Sequence, residues 1–142
     1  MARDRYVEHL KDVPLLAGCT RKQLQHVASI TTELTVPSGT TLMTEGSMAH
    51  EFIMVVRGNA AVRRNGRKVA DVGPGDVLGE LALILHRPRN ATVVSTTDMD
   101  VLVVDSRSFA PLLDEVPGLA RQMLRTVAER LSDNSKTTAL LH

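Results

Sequence analysis

The chain is poor in aromatic residues. Its 142 positions hold one Tyr (Tyr6), two Phe (Phe52 and Phe109) and no Trp, so a core must be filled by Val, Leu, Ile, Ala and Met. Cysteine is as scarce. Cys19 stands alone, which excludes an internal disulfide framework and points to a reducing cytosol. A packed or idle thiol is expected there, not a catalytic one. Charge of one sign is not in excess either. Lys and Arg number 17 against 16 Asp and Glu, and the net +1 provides no global field to draw in nucleic acid or a membrane surface. No apolar run reaches the length of a membrane span, and the charged start lacks the apolar stretch of a signal peptide. A cytoplasmic protein with no membrane span is expected.

What is present suffices for one domain. An apolar fraction of 43% supports a real core at this length. Residues 4–12 suit a short helix with Tyr6, Val7 and Leu10 on one side, stopped by Pro14. Thr20 is placed to cap a second helix carrying Leu24, Val27, Ala28 and Ile30, with Gln23 at the capping-box position. Val13, Leu15 and Leu16 form an apolar knot between the two.

From Thr31 the pattern turns to strands. Residues 31–36 are rich in β-branched side chains and end at Pro37-Ser38-Gly39; residues 40–44 follow. Residues 51–57 are apolar on both faces, which predicts a buried strand. Residues 60–64 and 67–72 flank Asn65-Gly66, a strong hairpin signal. Val77-Leu78 follows the turn cluster 73–76, and residues 91–96 and 99–104 complete about eight short strands, the spacing of a barrel or jelly roll. Helix returns at residues 106–115, with Phe109, Leu112 and Leu113 inward, the cap at Ser106 or Ser108, and Pro111 tolerable only near the start. Residues 119–131 place Ala120, Met123, Leu124, Val127, Ala128 and Leu131 on one face.

The stretch with the most chemistry is GELALILHRPRNATV, residues 79–93. Gly79 lets the backbone bend sharply and a ligand come close. Residues 80–85 read as one or two helical turns whose first N–H groups have no internal partner and suit a phosphate. Pro88 stops the turn. Arg89 opens a strand and sends a planar guanidinium back toward the helix start, where it can grip two phosphate oxygens. Glu80 repels phosphate but suits a neutral hydroxyl such as a ribose 2′-OH. One acceptor for a sugar and one cation for a phosphate describe a nucleotide. The plain alternative is a surface ion pair between Glu80 and Arg89, of small energetic weight.

On residues 79–92 the sequence resembles the phosphate-binding cassette of the cyclic nucleotide-binding domain family. That family occurs in regulatory subunits of cAMP-dependent protein kinase, in catabolite activator protein and in cyclic-nucleotide-gated channels. The resemblance implies an α+β, mainly β fold: an eight-stranded antiparallel jelly-roll, cupin-like β-barrel with N-terminal helices and two C-terminal helices. It implies a single domain over 1–142, with an N-terminal helical segment (1–30), a β-barrel (31–105) containing the cassette (79–92), and hinge and lid helices (106–142). It assigns Glu80 to the ribose 2′-OH, Arg89 to the cyclic phosphate, and the backbone of Gly79, Leu81, Ala82 and Asn90 to the cassette lining. The ligand expected is cAMP. Asn90 stands where relatives usually carry Ala, Ser or Thr, and a Thr there often accompanies cGMP use, so cGMP stays open. The last helix lacks an aromatic residue to stack on the base; Arg121, Arg125, Arg130 or an aliphatic residue is left for that role.

Other chemistry is weakly represented. His9, His26, His50, His86 and His142 form no His-x-His pair and no helical ligand pair, so no metal is expected. There is no Gly-x-Ser-x-Gly elbow, no P-loop, and no acid or nucleophile paired with Glu80, so no catalysis and no cofactor are expected. Arg63, Arg64, Arg67 and Lys68 read as a solvated basic hairpin, and the residues after Leu131 are too few for a helix-turn-helix. The expected function is a cyclic nucleotide-binding regulatory module that signals by moving its C-terminal helices. Its output would pass to an effector protein, a missing effector domain or a homodimer formed through the last helix. The alternative is the same fold without nucleotide binding, serving protein interaction or dimerisation, or a fragment of a larger transcription factor or channel.

Overall fold

A computed structural model describes residues 7–8, 10–11, 13, 16–79, 86–116, 118, 120–121, 124–125 and 128. Its ordered elements are helix α1 (Arg21–Ile30), strands β1 (Thr31–Val36), β2 (Thr41–Met43), β3 (Glu51–Arg57), β4 (Ala60–Arg64), β5 (Arg67–Val72), β6 (Val77–Leu78), β7 (Thr92–Ser95) and β8 (Met99–Asp105), and helix α2 (Ser106–Glu115). The strands make two four-stranded sheets, ordered β1-β8-β3-β6 and β2-β7-β4-β5, with antiparallel pairing throughout. This is a jelly roll. The expected closed barrel is instead a pair of facing sheets, because the ladders join strands only within each set of four.

The pattern of β3 explains the layering. Phe52 and Met54 face the helices and join Val7, Leu10, Leu24, Val27, Phe109 and Leu112. Ile53 and Val55, the intervening residues, face the second sheet and join Val62, Val72, Leu78, Val93 and Val101. β8 alternates in the same way, with Leu102 and Val104 on the helix side and Met99 and Val101 between the sheets. A strand buried on both faces reads as continuously apolar, which is why 51–57 lacks polar alternation. Asp100 of β8 ties its two neighbours laterally: it accepts from Thr35 Oγ1 at 2.8 Å and pairs with Arg57 Nε at 2.6 Å.

Turn and cap chemistry fix the ends. Asn65 (φ +53°) and Gly66 (φ +79°) both take the left-handed conformation a two-residue hairpin requires. Thr20 caps α1, its hydroxyl accepting from the Gln23 N–H while Gln23 reaches back to the Thr20 N–H. Helix α2 is capped by Asp105, not by Ser106 or Ser108; its carboxylate accepts from the Ser108 N–H at 2.8 Å. Pro111 lies in the second turn of α2 and not near its start. The helix then extends only as far as Glu115, so the missing N–H interrupts a short ladder. Val7, Glu8, Leu10 and Lys11 are helical, as are Gly118, Ala120, Arg121, Leu124, Arg125 and Ala128. The apolar face expected on 119–131 is not covered at its described positions: Ala120, Leu124 and Ala128 are exposed. Met123, Val127 and Leu131 lie outside the described residues, as does Tyr6.

Candidate functional site

The site is built where β6 ends and β7 has not yet begun. Val77 and Leu78 are both buried, and the chain leaves them through Gly79 at φ +86°. Glycine is required there twice over. The backbone angle strains any L side chain, and a Cβ would collide with the Arg89 guanidinium and lie 2.7 Å from the Met43 terminal methyl. Glu80, Leu81 and Ala82 lie outside the described residues.

Arg89 is 6% exposed; it and Ser95 are the buried polar residues among those described. Its Nη1 donates to the Gly79 carbonyl at 3.1 Å and its Nη2 to the Glu51 carbonyl at the start of β3. Neutral main-chain acceptors thus offset part of the desolvation of a buried cation and fix the plane of the fork. The main chain of Arg89 is held as firmly: its N–H donates to Ser47 O at 2.8 Å and its carbonyl accepts from the Gly46 N–H at 2.7 Å. For that reason Arg89 does not open a strand. The β2–β3 loop takes the backbone groups a ladder would use, and β7 begins at Thr92.

Asn90 is half-buried beside it, and its carbonyl accepts from Arg64 Nε at 3.1 Å. Arg64, which the sequence reading placed on a solvated hairpin, is thus brought against the candidate site. Its neighbours there behave as expected: Arg63, Arg67 and Lys68 are exposed, and Lys68 pairs with Asp71 at 3.0 Å. The signal was period two along β4, where Val62 points inward, Arg63 outward and Arg64 inward again. Glu45 secures the same corner. Its N–H donates to Thr92 Oγ1 at 2.9 Å, and its carboxylate accepts from the Asn65 N–H at 3.1 Å.

The site is joined to the helices through three consecutive residues. His50 O accepts from the Ser106 N–H, the first residue of α2, at 2.7 Å. Glu51 O holds Arg89. The Phe52 ring meets the Phe109 ring of α2 edge to face, with centroids 5.1 Å apart. At the far end of α2, Glu115 Oε2 lies 2.6 Å from His26 Nε2 of α1.

Two ionisable groups near these elements depart from ordinary values. The hydrogen bond from the Ser108 N–H holds the Asp105 carboxyl below the usual range, and burial pushes the Cys19 thiol up. Among the described residues no group of three or more His, Cys, Asp or Glu is placed to hold a metal ion, and no helix is long and apolar enough to cross a membrane. His86 is exposed and adopts φ +54°.

A jelly roll flanked by helices, with an oriented guanidinium seated under the glycine that leaves β6, has the architecture of a small-ligand binding module. The profile of the cyclic nucleotide-binding domain matches residues 33–116, and the chain belongs to that family. It is 30% identical over 135 residues to the Pycsar effector protein XpPycTIR of Xanthomonas perforans, covering 94% of this chain and 44% of that protein. It is 31% identical over 120 residues to a cAMP-dependent protein kinase regulatory subunit of Hypocrea atroviridis, covering 84% of this chain and 26% of that one. The chain thus spans less than half the length of these relatives. Among solved structures, the regulatory domain of Toxoplasma gondii PKA with cAMP superposes with a TM-score of 0.77 at 26% identity, covering 89% of this chain and 50% of that one.

Proposed function

We propose that this chain is a regulatory module for a 3′,5′-cyclic nucleotide, with cAMP as ligand and no chemistry of its own. The observation that carries the reading is Arg89, a cation buried beneath Gly79 and bonded to neutral carbonyls. A cyclic phosphate offers charged oxygens in place of those carbonyls. Charge-assisted bonds are roughly twice as strong as neutral ones, so a phosphate is a strong partner for a guanidinium held in this place. In this reading Glu80 accepts the ribose 2′-OH, and the backbone of Gly79, Leu81, Ala82 and Asn90 lines the cassette. The names of the relatives, with cAMP-dependent kinase regulators among them, support the choice of ligand.

Arg89 also suggests how binding is transmitted. Its Nη2 bond ends on Glu51, between the residue that holds the start of α2 and the residue that packs on Phe109. A ligand that draws the guanidinium toward itself loosens that bond and biases the seat of α2. The helical segment 106–142 then serves as hinge and lid over the jelly roll 31–105, with segment 1–30 as the N-terminal helical part. The output passes to an effector protein, to an effector domain elsewhere in a longer chain, or to a second copy through the last helix. A cytoplasmic location accompanies this role.

A thermal-shift titration with cAMP, cGMP and AMP tests the reading. The expected result is a concentration-dependent rise in melting temperature with cAMP and little with AMP, whose open phosphate does not match the cyclic ligand. No shift with either cyclic nucleotide up to millimolar concentration contradicts it.

A further inference from the structure

We propose that the tip of the β4–β5 hairpin is a docking point for a partner protein, and that it takes a flexible, carboxylate-rich segment of that partner around both faces of the ribbon. The surface does not involve a nucleotide and stands apart from the reading of Arg89.

The motivating observation is the register of the hairpin. The two strands pair in step as far as Val62 and Ala70. The ladder then shifts by one, so that Arg63 lies opposite Lys68 and Arg64 opposite Arg67. Val69 is the extra residue of this bulge. Without it, Arg63 would lie opposite Val69, and a single like-charge rung, Arg64 with Lys68, would remain. The shift builds two successive rungs with a cation on each side. Like charges directly opposite one another destabilise a ladder, so this arrangement opposes folding. The chain as a whole carries only +1, so the cations at the tip are a local concentration and not a share of a general excess.

Compensation within the chain is partial. Lys68 pairs with Asp71 at 3.0 Å, and Arg64 Nε is anchored on the Asn90 carbonyl at 3.1 Å. The Glu45 carboxylate is engaged by the Asn65 N–H. Arg63 and Arg67 are exposed, and neither makes an ion pair or hydrogen bond among the described residues. Charge at a sheet edge can serve to ward off strand pairing. That device is not used at the other edges: β1, β2 and β6 together carry one charged residue, Glu33.

The geometry selects the partner. Opposite residues of a ladder share a face and successive rungs alternate, so Arg63 and Arg67 lie on different faces of the ribbon. A lipid surface meets one face only, and the Asn65-Gly66 turn offers it no apolar side chain. Duplex DNA demands a longer basic stripe, since tight binding neutralises on the order of six to ten phosphates. A flexible acidic segment reaches both faces, and a carboxylate matches the guanidinium fork. Glu45 and Arg64 tie the hairpin backbone to the neighbouring loops, which lowers the ordering cost of docking.

The test is fluorescence anisotropy with a labelled ten-residue polyglutamate peptide, beside a duplex DNA and phosphatidylserine vesicles at equal charge. The parent should bind the peptide at about 0.02 M salt and release most of it at about 0.15 M. Arg63→Gln and Arg67→Gln should each weaken binding about threefold, and the double variant about tenfold. A control that also removes two exposed cations, Lys22→Gln with Arg107→Gln, should weaken it less than about twofold. The hairpin double variant should also melt about 1–3 °C above the parent, because both like-charge rungs are relieved. No binding by the parent, or tighter binding to DNA or vesicles than to the peptide, overturns the proposal without any substitution. A control that loses as much as the hairpin variant reduces the effect to net charge, and a loss confined to one single variant removes the two-faced docking. A hairpin variant that melts lower than the parent contradicts the repulsion on which the proposal stands.

Discussion

The two faces of the sheet β1-β8-β3-β6 differ in what they bury and in what they can do. The face toward the second sheet is lined by small and medium aliphatic side chains and ends at Gly79 and Arg89. The face toward the helices holds both Phe residues and the helix-borne leucines. In the proposed reading one face supports recognition, and the other supports the helices that respond to it. They communicate because β3 presents alternate residues to each, and because its first residue holds Arg89 while its second packs on α2. A strand with polar alternation would have left one face solvated and cut this route. The scarcity of aromatics sharpens the point: apart from Tyr6 the chain has only two, Phe52 and Phe109, and it places them on each other across the joint between strand and helix.

The largest effect should come from breaking that joint. Phe52→Ala removes a fully buried ring and its edge-to-face partner; the expected cost is about 3–5 kcal/mol in urea unfolding. In a variant stabilised enough to remain folded, the cAMP-induced change in hydrogen exchange of Ser106–Glu115 should also disappear. A Phe52 variant that still transmits the full change breaks the comparison.

The next largest belongs to the recognition face. Gly79→Ala forces a Cβ onto the Arg89 guanidinium in a backbone conformation worth about 1–2 kcal/mol of strain. Thermal unfolding should fall by that amount at least, and cAMP affinity should fall with it because Arg89 has to move. Loss of stability with unchanged affinity would separate Gly79 from the site.

The smallest concerns the start of α2. Asp105→Asn keeps a capping side chain but removes its charge. The carboxyl of Asp105 is held below its ordinary value by the Ser108 N–H, so the ionised form stabilises the fold. That contribution is present above the ordinary carboxylate pKa and is lost as pH falls through the lowered folded value. At neutral pH the variant should melt about 1–3 °C below the parent, and the gap should close as acidification takes the pH through the lowered folded value of Asp105. A gap that persists there assigns the effect to geometry instead of charge.

Much of this was legible in the residues, and the limits have physical causes. Strand β3 was readable because burial on both faces leaves a continuous apolar run. The hairpin was readable because Asn-Gly has few other uses between strands, and the α1 cap because Thr20 and Gln23 satisfy each other's backbone locally. The division into two sheets was not readable, since strand pairing joins residues far apart in the chain. The cap of α2 was misassigned to serine because Asp105 ends a strand and begins a helix at once, and the strand pattern masked the second role. Arg89 was correctly drawn back to the start of the cassette. Its buried setting and the clamp from Gly46 and Ser47 depend on a loop more than forty positions away. Arg64 was grouped by charge with its exposed neighbours, although alternation along β4 already turned it inward.

The account depends most on Arg89 meeting a cyclic phosphate. Calorimetric titration of cAMP into the parent and into Arg89→Ala tests this directly, with thermal unfolding of each run alongside to confirm the fold. Loss of a charge-assisted contact of about 1.5–3 kcal/mol predicts an affinity roughly tenfold to over a hundredfold weaker in the variant. A folded Arg89→Ala that binds cAMP as tightly as the parent contradicts it.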